Sequence, residues 1–112
     1  MMLGKRKPEP AGALDLSEMT DHLGHAYEVM RVFIPQPDQG SISGVYIDPP
    51  EGFTPFMFGI LLADIVHHGS KAFAYKFGMN DAEALYEISR GLSAELATPT
   101  DEVKQVIPEA DA

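Results

Sequence analysis

Apolar positions are densest between Thr54 and Phe77, where the chain reads TPFMFGILLADIVHHGSKAFAYKF. At about 100° per residue, this stretch predicts one long helix whose polar groups lie in a single arc. The arc contains Asp64, His67, His68, Lys71 and Tyr75. The remaining apolar arc is roughly twice as wide as the stripe that covers one side of a small sheet. The pattern therefore predicts a helix that must be covered from several directions.

Capping residues mark the ends of this helix and the start of a second one. Thr54 can act as the N-cap with Pro55 after it, and Gly78 stands where a left-handed C-cap is favoured. Asn80 then caps a second helix, with Glu83 at the capping-box position. The apolar stripe of the second helix consists of Leu85, Ile88, Leu92 and Leu96. The sequence predicts two consecutive helices.

Two segments before the long helix have the composition of β-strands. Tyr27 to Ile34 and Ile42 to Ile47 are rich in β-branched and aromatic residues. A Pro- and Gly-containing turn signal separates them, and two prolines follow the second strand. We therefore predict an α+β fold, a β-hairpin followed by two helices (β-β-α-α).

The flanking segments differ from this core in composition. Residues 1–24 are rich in Pro, Gly and charge without a sustained period, which predicts a disordered arm. Residues 25–97 form the predicted α+β domain. Residues 98–112 contain two prolines and an excess of acids, which predicts a flexible acidic tail.

A small core favours a homodimer. A lone two-stranded sheet is marginally stable in water, and a core of about 70 residues rarely supplies more than a few kcal/mol. Small side chains that would let another helix approach lie together on the long helix, namely Gly59, Ala63, Ser70 and Ala74. We therefore expect dimerisation to complete the fold. The alternative is that the second helix alone covers the excess apolar face.

The composition of the chain limits the classes of partner that it is expected to bind. The 112 residues carry a formal net charge of −9 and no cysteine. An acidic chain repels phosphates and anionic lipids, which argues against nucleic acid and membrane partners. The basic N-terminus is followed by Pro8 rather than by an apolar run, so we expect no signal peptide and a cytoplasmic protein.

Several segments resemble a family of short, uncharacterised bacterial proteins known as a domain of unknown function. The resembling segments are EVMRVFI, the Asp48-Pro49 step, FGILLADIVHHGSKAFA, and EALYEISRGLSAEL with TPTD after it. Within them, Phe58-Gly59 resembles an aromatic-glycine step, and Asp64 with His68 resembles an Asp–His pair of the family. The resemblance implies a small α+β domain and brings no activity.

The polar arc offers the candidate site. Asp64 and His68 are one helical turn apart, so the carboxylate can orient the imidazole, although such pairs often only stabilise a helix. Adjacent His67 and His68 diverge by about 100°, so one ion cannot easily bind both. The chain lacks a phosphate-binding glycine motif. We therefore predict no metal, no cofactor and no catalytic residue, and a ligand-binding role for the arc as the candidate.

The leading hypothesis for function is a non-enzymatic homodimer that acts by protein–protein interaction, with a further protein partner as an extension. The alternative is a small-molecule or metal binder, conceivably an enzyme, that uses Asp64 and His68 on the long helix.

Overall fold

The structure is a computed structural model, and it describes residues 9–38 and 44–100. It confirms the predicted α+β fold, with an antiparallel hairpin followed by two helices. Backbone contacts divide the chain into two compact units, and the boundary between them falls after Pro50. The hairpin belongs to the first unit and the two long helices belong to the second. Most of the predicted acidic tail, 101–112, lies outside the described residues.

The first unit begins with short helical turns. A 3-10 turn at Ser17–Met19 continues into helix α1, Thr20–Leu23. Both lie within the segment predicted as a disordered arm, and neither contains a buried residue. Without packing, such short turns are marginal in water. The predicted limits of arm, domain and tail stay predictions.

The hairpin consists of β1, Met30–Phe33, and β2, Gly44–Ile47. Strand β1 is shorter than the predicted Tyr27–Ile34. The second strand ends at Ile47 as predicted, and the segment of the predicted strand before Gly44 lies outside the described residues. The register pairs Met30 with Ile47 and Val32 with Val45, so these four side chains share one apolar face. On the other face Phe33 and Tyr46 are in edge-to-face contact, with ring centroids 6.4 Å apart. The strands are therefore apolar on both faces, as their composition predicted.

Helix α2 spans Pro55–Phe77, with the predicted caps at both ends. The Thr54 hydroxyl accepts a hydrogen bond from the backbone N–H of Met57 at 3.1 Å. Gly78 adopts φ +66°, a left-handed conformation in which a side chain would be strained, and its N–H donates to the carbonyl of Ala74. These local bonds fix the length of the helix at both ends.

Helix α3 spans Asp81–Ala97 and packs against α2. The side chain of Asn80 accepts hydrogen bonds from the N–H groups of Ala82 and Glu83, which confirms the predicted cap. The three-residue connection makes the two helices a helical hairpin. Within the described ranges, neither helix is long and apolar enough to cross a lipid bilayer.

Candidate functional site

Small residues form the contact between α2 and α3. Ser70 on α2 and Ala84 on α3 are each only 2% exposed. A Cβ built on Gly69 would lie 3.7 Å from Cδ1 of Ile88, an ordinary van der Waals contact. The Ser70 hydroxyl donates to the backbone carbonyl of His67 at 2.8 Å, so its burial leaves no unpaired polar atom. The small residues near the middle of α2 therefore accommodate the neighbouring helix of the same chain.

A charged contact supports this packing. The Lys71 ammonium donates to Oδ2 of Asp81 at 3.0 Å, which connects α2 to the first residue of α3. The cation lowers the pKa of Asp81 below its ordinary value of 3.8, and the nearby Ser70 hydroxyl acts in the same direction. Burial acts against both, and His67 adds a smaller lowering effect. Lys71 thus serves as a bridge between helices.

We expect the Lys71–Asp81 bridge to make stability depend on acid. Because folding lowers the pKa of Asp81, its stabilising contribution is fully present above pH 3.8 and is lost as the pH falls through the lowered pKa. Asp81→Asn should lower the urea midpoint at pH 7 and flatten its decline below pH 4. Asp64→Asn, which alters a carboxylate on the predicted arc, is the matched control. Equal pH profiles for wild type and Asp81→Asn would contradict this role.

The five residues of the predicted arc all lie on α2, and all five are exposed. The ion pairs of the described residues involve Arg31, Lys71 and Arg90, so Asp64 and His68 do not pair with each other despite their spacing. Tyr75 is 93% exposed. The structure thus brings Lys71 to Asp81 and leaves the rest of the arc open to solvent. A ligand-binding role for the arc stays a prediction.

Asp81 was not among the predicted site residues. It lies ten positions beyond Lys71, across a turn, so helical spacing on α2 gives no signal for it. Its place directly after the N-cap Asn80 is a local signal for an acid that favours the helix start. No three side chains of His, Asp or Glu converge as a possible metal site in residues 9–38 and 44–100.

An apolar groove runs along the helical hairpin near its turn. It has a volume of about 460 Å³ and is lined by Phe73, Phe77, Met79, Ala84, Glu87 and Ile88. The rings of Phe73 and Phe77 contact each other with centroids 5.7 Å apart, and the Lys76 ammonium lies 5.6 Å from the centroid of the Phe77 ring. The groove therefore has a mainly apolar lining and charged side chains at its rim.

A second apolar surface lies at the start of α2. Phe53 and Phe58 are in edge-to-face contact with centroids 6.2 Å apart. Phe56 is 80% exposed, and Ile60, one turn further along, is also exposed. The aromatic side chains at the start of α2 are thus only partly covered.

Most large apolar side chains of the described residues are exposed to solvent. Among the described residues, Ala84 is the only buried hydrophobic residue. The exposed large hydrophobic residues of the helical unit are Phe56, Met57, Ile60, Leu62, Ile65, Phe73, Tyr75, Phe77, Tyr86, Leu92 and Leu96. Monomeric soluble proteins rarely expose contiguous apolar patches of more than a few hundred Å². The helical hairpin therefore leaves most of its large apolar side chains exposed in the part of the chain that the structure describes.

The fold and this surface define a small α+β protein with largely uncovered helices. Residues 13–100 match the family described as Domain of unknown function (DUF5076), and the chain belongs to this family. No curated protein matches it. A similar solved structure is described as that of a "putative pyruvate dehydrogenase" from the photosynthetic bacterium Rhodopseudomonas palustrus CGA009. The similarity has a TM-score of 0.58 and 28% sequence identity, and it covers 97% of this chain and 100% of the other.

Proposed function

We propose that this protein is a self-associating interaction domain, a non-enzymatic homodimer that acts by protein–protein contact. One observation carries the proposal: in the part of the chain that the structure describes, Ala84 alone is a buried hydrophobic residue, while large apolar side chains remain exposed. A single chain in this state forgoes most of the hydrophobic free energy that stabilises a domain. A second copy supplies the missing contact.

The exposed area is of the size that a dimer uses. Phe73 and Phe77 are 48% and 64% exposed. At about 200 Å² for each aromatic side chain, these two alone expose roughly 200 Å². A standard interface takes about 800 Å² from each partner. The remaining apolar side chains of α2 and α3 can supply the rest of this area. Each one that becomes fully buried contributes about 1.5–3 kcal/mol of hydrophobic free energy.

Charge affects this association. The ion pairs of the described residues join side chains that are about half exposed or more in the single chain. The net charge of −9 on each chain adds a long-range repulsion. Salt at about 0.15 M screens such repulsion beyond about 8 Å. We therefore expect association to become tighter as salt increases from low to moderate concentration.

Size-exclusion chromatography with light scattering tests the proposal. The chain has a mass of 12.2 kDa, and we expect twice that mass at micromolar concentration and moderate salt. A parallel run at low salt should show a larger fraction of monomer, because the unscreened acidic chains repel one another. A mass of 12.2 kDa at every concentration and salt level would overturn the proposal.

A further inference from the structure

We infer that the groove near the turn of the helical hairpin is the surface through which two copies of this chain associate. The inference rests on the proposed function and adds to it the location of the contact. The groove is lined by Phe73, Phe77, Met79, Ala84, Glu87 and Ile88. Its occupant is the same groove of a second copy, in a two-fold symmetric contact.

Shape favours a symmetric contact. Phe73 and Phe77 form a ridge on α2, and Phe77 is 64% exposed at its crest. Ala84, beside the ridge on α3, has the smallest side chain of the lining and leaves a depression. In a two-fold contact each ridge enters the depression of the other copy, so one surface supplies both complementary shapes. Exposed aromatic side chains seated in such depressions are typical energetic centres of interfaces.

Charge favours a second copy over other occupants. Glu87 on α3 lines the groove and pairs with Arg90 of the same helix at 2.7 Å, and Lys76 at the C-terminal end of α2 has its ammonium near the Phe77 ring. The rim therefore carries both signs. A two-fold operation can bring the Lys76 of each copy towards the Glu87 of the other, which makes the rim complementary to itself. Two acidic chains repel each other least where their few lysine and arginine side chains lie at the contact.

The start of α2 is a weaker candidate for self-association. Phe56 and Ile60 are exposed there, but residues 51–70 contain no lysine or arginine and include Glu51 and Asp64. Two copies that met through this segment would oppose acids to acids without a compensating cation. Like charges placed across an interface disfavour association. The two ends of α2 thus differ in charge, and the end at the turn suits a second copy.

Two matched substitutions on α2 test the inference. Phe77→Asp places a charge on the ridge, and Phe56→Asp makes the same change at the exposed residue outside the groove. Both side chains are largely exposed, and neither is among the residues buried between α2 and α3. An acid is disfavoured at the C-terminal end of a helix and favoured at its start, so the stability of each variant is measured alongside its mass. We expect Phe77→Asp to raise the dimer dissociation constant at least about thirtyfold, because truncated interface centres typically cost about 2 kcal/mol or more. Phe56→Asp should leave it within about threefold.

The outcomes separate the inference from the proposed function. A monomeric wild type overturns the proposed function and the groove together. A dimeric wild type with an equally dimeric Phe77→Asp variant overturns only the groove. Dissociation by Phe56→Asp alone assigns the contact to the start of α2 and also overturns the groove. Circular dichroism establishes that each variant keeps its helices.

Charge exchange gives a second test that leaves the aromatic residues intact. Lys76→Glu and Glu87→Lys should each weaken the dimer, because each opposes like charges across the two-fold axis. The double variant restores opposite charges and should recover affinity relative to both single variants. The proposed contact would be contradicted if the double variant bound at least as weakly as the two single effects added together. This charge-exchange test remains informative if Phe77→Asp fails to fold.

Discussion

Ala84→Leu is expected to destabilise the helical hairpin by about 2–3 kcal/mol. Ala84 is 2% exposed, and Ser70 on the facing helix is equally buried. Inserting larger side chains into a well-packed contact forces shifts that typically cost about 1–3 kcal/mol. The cost should lie at the upper end here, because even a Cβ placed on Gly69 would already lie 3.7 Å from Cδ1 of Ile88, which leaves little room at this contact. No larger core is available in the described residues to absorb the shift.

Urea unfolding followed by circular dichroism measures this effect. Ala82→Leu is the matched control, because Ala82 lies on the same helix and is exposed. Surface substitutions of this kind usually change stability by less than about 0.5 kcal/mol. Both variants should be compared at one protein concentration, since Ala84 also borders the groove. An Ala84→Leu variant as stable as Ala82→Leu would show that α2 and α3 do not pack closely at this point.

The stability of the wild-type protein is expected to rise with its own concentration. If folding and association are coupled, a partner at a hundred times the dissociation constant stabilises the native state by about 2.7 kcal/mol. The apolar surface left exposed on α2 and α3 is the physical reason, because the proposed dimer would bury part of it. Thermal or urea unfolding over a hundredfold range of protein concentration measures the shift of the midpoint.

Phe77→Asp provides the control for this dependence. If the groove is the contact, the variant should unfold at a midpoint that does not change with concentration over the same range. A wild-type midpoint that is constant, in a protein whose mass is that of a dimer, would mean that each subunit is stable by itself. The exposed side chains would then contribute to association but not to folding.

Prediction from sequence was most accurate where the signal is local. The caps at Thr54, Gly78 and Asn80 fix both helices at the predicted positions, since each depends on bonds within a few residues. The first strand was predicted to be longer than it is, because β-propensity describes composition but not where pairing ends. The Lys71–Asp81 contact was missed, because it depends on the path of the chain through the turn.

The sequence by itself determined the α+β class, the order of the elements and the apolar excess of the long helix, because periodicity and capping are properties of neighbouring residues. Only the tertiary structure decided which small residues meet α3, which partner Lys71 finds and which aromatic side chains remain exposed. Ser70 becomes buried against α3, whereas Phe56 and Phe77 stay exposed on the same helix. That difference depends on the direction from which α3 approaches α2, and the spacing of residues along one helix does not specify it.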